Sequence, residues 1–149
     1  MKNFAFITLI VLSIGCKKNM DRDLGEGYRL IASQAGDPAI VFGINEPYTG
    51  IVQGSILKVA FDSKFIIASQ RPIDSIPECT GKIPGMTKKK CREAFEKSTI
   101  VKYWIINKKE TMVFDENSKK YNNAYGPFSI DQFKTKRIEL GVSNNLQLP

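Results

Sequence analysis

Apolar and polar positions divide the chain into a short greasy leader, a charged stretch, and a long region of strand-like runs that closes on a helix. Phe4 to Val11 is an almost unbroken apolar run behind a lone cation, Lys2, and leads into Leu12-Ser13-Ile14-Gly15-Cys16. A run of about a dozen residues falls short of the roughly 20 that a membrane-spanning helix needs, and its order of charge, apolar segment and small residues is that of a secretory signal. Lys17 to Asp23 is charged and lacks apolar periodicity, which predicts a solvated tether ending near Glu26. Tyr28 to Ala32 and Ala39 to Ile44 then read as a hairpin around Gly36-Asp37-Pro38. Ile51 to Phe61 and Phe65 to Gln70 predict a second pair. In it Leu57, Val59 and Phe61 share a core face with Phe65 and Ile67, leaving Lys58, Ala60, Ala68 and Gln70 on a face at most partly covered.

Pro72, Pro77 and Pro84 make Arg71 to Gly85 a loop. Lys88 to Lys97 predicts a short helix after Thr87, with Cys91, Ala94 and Phe95 on one side. Ile100 to Ile106 is apolar on both alternating faces, as expected of a central strand covered on both sides. Thr111 to Phe114 continues the pattern, and Asp115 to Asn123 is a polar excursion. After a turn at Gly126-Pro127, Ser129 and Gln132 form a capping box that opens a helix from Ile130 to Leu140. Ile130, Phe133 and Leu140 are its apolar stripe, Gly141 its C-cap, and Val142 to Pro149 a loosely packed tail. The expected fold class is α+β. A single domain over residues 27–149 carries a mainly antiparallel sheet of about five or six strands with one or two short helices on it. A signal segment (1–15) and a tether (16–26) precede it.

Composition narrows the chemistry. The 149 residues contain no histidine, which removes Ser-His-Asp and Cys-His nucleophiles and the usual His-containing zinc sites. Asp21, Asp23 and Glu26 beside Gly25 invite a calcium loop, but the spacing fails at the fifth and twelfth positions, where Gly25 and Ala32 stand. No metal site and no cofactor are expected. The enzymatic alternative is a small carboxylate-dependent hydrolase of cell-wall or glycan material, which requires two carboxylates facing each other about 5 to 9 Å apart. The net charge of +7 favours an acidic protein, an anionic glycan or lipid over nucleic acid as partner outside the cytosol, and equally suits a basic surface with no specific partner.

Lys88, Lys89 and Lys90 occupy the first turn of the expected helix, where the helix dipole prefers anions. With Lys82 and Arg92 they form the densest basic patch, which is either a solvated helix face or a site for an anion or an acidic partner, as in an immunity-type protein. If Cys16 is modified, Cys79 and Cys91 remain, either as a disulfide or as two thiols. Joined, they would close a loop worth about 3 kcal/mol by chain entropy.

Three resemblances add expectations. Leu12 to Cys16 resembles a bacterial lipobox, which implies cleavage before Cys16, acylation of that cysteine and attachment to a membrane of the cell envelope. By similarity to lipoprotein sorting rules, the absence of Asp after Cys16 implies the outer membrane in a host with two. The lipobox, the Gly27-Tyr28-Arg29-Leu30 strand, the Ile51 to Gln70 hairpin, Tyr103-Trp104-Ile105-Ile106-Asn107-Lys108-Lys109 and Gly126-Pro127-Phe128-Ser129 together resemble a family of small envelope lipoproteins of unknown function. Tyr103-Trp104, a hairpin, Gly126-Pro127-Phe128-Ser129 and a helix are similar to bacterial GYF-like domains, which bind proline-rich peptides on aromatic residues. That similarity implies a recognition role for Trp104, Tyr103, Tyr125 and Phe128, whereas the single Trp inside an apolar strand, read from the residues alone, favours core packing. The expected function is a non-catalytic, membrane-anchored binding module of the envelope.

Overall fold

The computed structural model describes residues 21–32, 37–45 and 47–149. The leader, Cys16 and the lysines after it lie outside these residues. Strands β1 (Asp21–Gly25), β2 (Tyr28–Ala32), β3 (Pro38–Phe42) and β4 (Thr49–Val52) form one antiparallel sheet in the order β1-β2-β3-β4. The chain continues through β5 (Ile56–Phe61), β6 (Phe65–Gln70), 3-10 turns at Ile73–Ser75 and Pro77–Cys79, and α1 (Lys88–Lys97). It then forms β7 (Lys102–Asn107), β8 (Phe114–Asp115), β9 (Lys120–Tyr121), β10 (Ala124–Phe128) and α2 (Ile130–Leu140). A second sheet has the order β10-β7-β6-β5, and β8 pairs with β9 as a separate hairpin.

Three layers result. The first sheet packs on one face of the second through Leu24, Tyr28, Ile40, Ile66, Trp104 and Ile106. On the other face, Phe65, Ile67 and Ile105 meet Phe133 of α2 together with Val142 and Leu146. β6 lies between β5 and β7 and between both layers, so every one of its six residues is buried. Polar contacts close the sandwich at its far end. The Lys108 ammonium donates to the Leu24 carbonyl at 2.8 Å, and the Asn123 amide donates to the Tyr28 hydroxyl at 2.7 Å. Burial pushes the Lys108 ammonium below the ordinary lysine pKa, with the nearby Asp62 and Glu26 charges opposing it.

The class is α+β, as the alternating runs predicted, but the sheet count is not. Among the described residues, ten strands in three sheets replace a single sheet of about five or six. The expected strand from Ile51 to Phe61 is two strands in different sheets, because Gly54 and Ser55 at φ 65° and 56° turn the chain from β4 into β5. The tether also ends earlier. Asp21 to Gly25 is a strand, and Gly25, Glu26 and Gly27, all at positive φ, make the tight turn into β2.

Register corrects the expected core face. Val59 opposes Ala68 and Ala60 opposes Ile67, after a bulge between Ile56 and Lys58 that leaves Leu57 exposed. Ala68 and Gln70 are buried rather than half-covered, Ala68 beneath the first sheet and Gln70 between Gln53 and Trp104. Thr111 and Met112 lie outside the strands, and the polar excursion after them is the β8–β9 hairpin. The tail is not loose. Val142 and Leu146 are core residues, and the Arg137 guanidinium donates to the Ser143 and Leu146 carbonyls at 2.8 and 2.6 Å. Of the two helices only α2 packs on the sheet; α1 packs on the Pro77–Cys79 turn.

Candidate functional site

Beyond the β4 edge, the second sheet is no longer roofed by the first. The β8–β9 hairpin stands on the far side of that gap, and between them opens a cleft of about 810 Å³. Trp104 lies at its base, Ile51, Val52, Phe114 and Tyr121 line its walls, and Arg71, Lys119, Lys120, Asp37 and Asp74 carry charge into it.

The base is built by hydrogen bonds and close packing. The Trp104 indole N–H donates to Gln70 Oε1 at 2.7 Å, and the Gln70 amide donates to the Gln53 and Gly54 carbonyls at 2.6 and 3.1 Å. One buried amide thus orients the indole and holds the turn between β4 and β5. Gly126 lies against the ring: a Cβ there would stand 2.9 Å from Trp104 and 2.7 Å from the Tyr103 carbonyl, at a φ of 140°. No other residue fits this approach. Lys120 donates to the Gly126 carbonyl at 3.0 Å with its ammonium 5.8 Å from the indole centroid. At the opposite rim the Arg71 guanidinium stacks 5.3 Å from the Phe95 ring and donates to the Phe95 carbonyl at 3.2 Å, joining α1 to the end of β6.

The four aromatic residues expected to act together do not form one platform. Trp104 faces the first sheet and is 8% exposed, whereas Tyr103, the next residue on β7, points to the opposite face and stacks on Phe133 with ring centroids 5.0 Å apart. Alternation along a strand imposes this separation. Phe128 packs in the same core as Tyr103. Tyr125 joins it there and donates its hydroxyl to both Glu110 oxygens, at 2.9 and 2.8 Å. Burial, then the Glu110 carboxylate, push the Tyr125 phenol up to about 12. Lys88, Lys89 and Lys90 are exposed on α1, away from these aromatics.

Cys79 and Cys91 are joined by a disulfide. Among the described residues no cluster of three or more His, Cys, Asp or Glu side chains is placed to hold a metal ion, and no helix is long and apolar enough to cross a membrane. Sequence reasoning missed Gln70, Phe114, Lys119, Lys120 and Tyr121 as cleft residues. Trp104 and the Gly126-Pro127 turn were the sequence signals that fall on the cleft.

Fold and site together define an α+β double-sheet sandwich with one helix on its back and an aromatic-based cleft at the edge of its front sheet. The chain belongs to the DUF3997 family, described as proteins of unknown function, whose model matches residues 25–149. No curated protein and no solved structure matches it.

Proposed function

We propose that this chain is a non-catalytic binding module of the bacterial cell envelope, anchored through lipid on Cys16, and that the cleft over Trp104 receives an extended polypeptide segment. The observation that carries the reading is β4, an edge strand of the first sheet among the described residues, running along the aromatic-based cleft. An unpaired strand edge offers backbone N–H and C=O groups to an added strand, and neighbouring pockets select its side chains. Phe114 and Ile73, 41% and 53% exposed, offer apolar contact at the mouth. The lipobox-like leader supports the anchor, and the similarity of the last third to GYF-like modules supports a peptide ligand. Of the aromatic residues in that similarity, Trp104 keeps the recognition role.

Trp104 is the single tryptophan and lines the cleft, so its emission responds to occupation of the cleft. Peptides selected from a random-sequence library on the full chain are expected to shift that emission, and Phe114→Ala to weaken them at least about tenfold. Selected peptides that leave Trp104 emission unchanged and ignore Phe114→Ala would remove the cleft as the site. The hydrolase reading has two candidate carboxylates here, because Asp37 and Asp74 both line the cleft. Hydrolysis of envelope glycan that Asp74→Asn abolishes would favour that second reading.

A further inference from the structure

The end of the sandwich that carries α1 collects features used by neither core nor cleft. Ile56 of β5 pairs with Gln70 of β6, and Gln70 with Lys102 of β7, so these three residues mark one end of the second sheet. The whole segment from Arg71 to Val101, with its 3-10 turns, disulfide and α1, projects from this end.

Between Lys82 and Lys97 the sequence has six basic residues, Lys82, Lys88, Lys89, Lys90, Arg92 and Lys97, against two acidic ones, Glu93 and Glu96. All six are exposed, and Lys89 alone among them approaches a carboxylate, Glu93 at 4.0 Å, within the described residues. At the same end three large aliphatic side chains stand in solvent: Leu57, Ile83 and Ile100, from 38% to 44% exposed.

We infer that this end of the domain docks on an anionic lipid bilayer, with the α1 lysines at the headgroups and the three aliphatic side chains at the acyl boundary. Exposed aliphatic residues among lysines are the composition of an interfacial contact, since each basic residue gains from anionic headgroups while the apolar groups leave water. An acidic protein is the competing occupant of this surface, and the test below separates the two. The geometry rests on the lipid-anchored reading. Docking itself needs only the anionic surface.

The test uses the full chain reconstituted in vesicles of phosphatidylcholine alone or with about one-third phosphatidylglycerol, with each lysine followed by amine-reactive labelling and mass spectrometry. Labelling of Lys88, Lys89 and Lys90 is expected to fall at least about threefold on the anionic vesicles and to recover at high salt, while Lys134 on α2 stays unchanged. The triple variant Lys88→Glu, Lys89→Glu, Lys90→Glu is expected to lose that difference. Because acidic residues suit the first turn of α1, its helix content should hold or rise, which separates lost docking from lost folding. Ile83→Ser should weaken docking in a way that salt does not mimic.

Equal labelling on both vesicle types overturns the inference. So does protection of these lysines by an acidic polypeptide but not by anionic vesicles. Retention on phosphatidylcholine vesicles reports the lipid anchor separately, so loss of the anchor and loss of docking are read independently.

Discussion

α2 lays Phe133, 4% exposed, against Tyr103 and the back of the second sheet, whereas none of the ten residues of α1 is buried. Both helices are about three turns long and both have a side-chain N-cap, Thr87 for α1 and Ser129 for α2. They differ in what holds them. α2 has a complete capping box, Asp131 in its first turn, Gly141 at its end and a hydrophobic core beneath it. α1 has three lysines where its dipole repels them, and it is held by a disulfide to the Pro77–Cys79 turn and by Arg71 on Phe95. A core fixes a helix by consuming one of its faces. A covalent staple fixes a helix while leaving nearly all of its surface free for another partner.

The sharpest way to break this comparison is to truncate an aromatic residue on each helix. Phe133→Ala is expected to cost about 3–5 kcal/mol, and Phe95→Ala, half-exposed under Arg71, about 1 kcal/mol, by urea denaturation. Equal losses would mean that α1 belongs to the same cooperative core. Next comes the disulfide, whose loop-closure constraint is worth about 3 kcal/mol. If α1 is held by the staple alone, Cys79→Ser with Cys91→Ser releases the same chain entropy in the native and unfolded states. Amides of Lys88–Lys97 should then exchange much faster, while the main unfolding transition moves by less than about 1 kcal/mol.

The caps sharpen the contrast at a smaller scale. Ser129→Ala should lower global stability by about 1 kcal/mol, whereas Thr87→Ala should show only as faster local exchange in α1. The smallest effect at neutral pH is that of Tyr125 beneath α2. Its phenol is raised from the ordinary 10.0 to about 12, so the neutral form is favoured by folding. Its contribution is complete below pH 10.0 and is lost as the pH rises through about 12. Tyr125→Phe should flatten the fall of stability across that window. A fall that persists in the variant would assign it to other groups.

α2 was legible almost residue by residue, since Ser129, Gln132 and Gly141 act on backbone groups within a few positions of themselves. β7 was legible for a related reason: Trp104, Ile105 and Ile106 are consecutive apolar residues and all are buried. The second sheet-forming pair misled because its turn pairs Phe61 with Ile66, which puts Phe65 and Ile67 on the face away from Val59, and alternation carries no mark of the turn length. Much the same holds for the site. The aromatic residues of the last third were visible, but the alternation that separates Tyr103 from Trp104 matters only once both faces of the sheet are known to be covered. Tyr121, Phe114 and Gln70 reach the cleft from segments far apart in the chain.

The sequence by itself determined the class of fold, the helix ends, the two-sided burial of β7 and the availability of Cys79 and Cys91 for each other. These follow from interactions between near neighbours or from composition, and they need no knowledge of the rest of the chain. Only the tertiary structure decided that β4 and β5 part into different sheets, that the tail completes the rear core, and that α1 stands off the sandwich on a staple. It also decided that a cleft opens over Trp104. Each of these depends on which apolar face meets which other across long stretches of chain, and many pairings satisfy the same local pattern until close packing selects one.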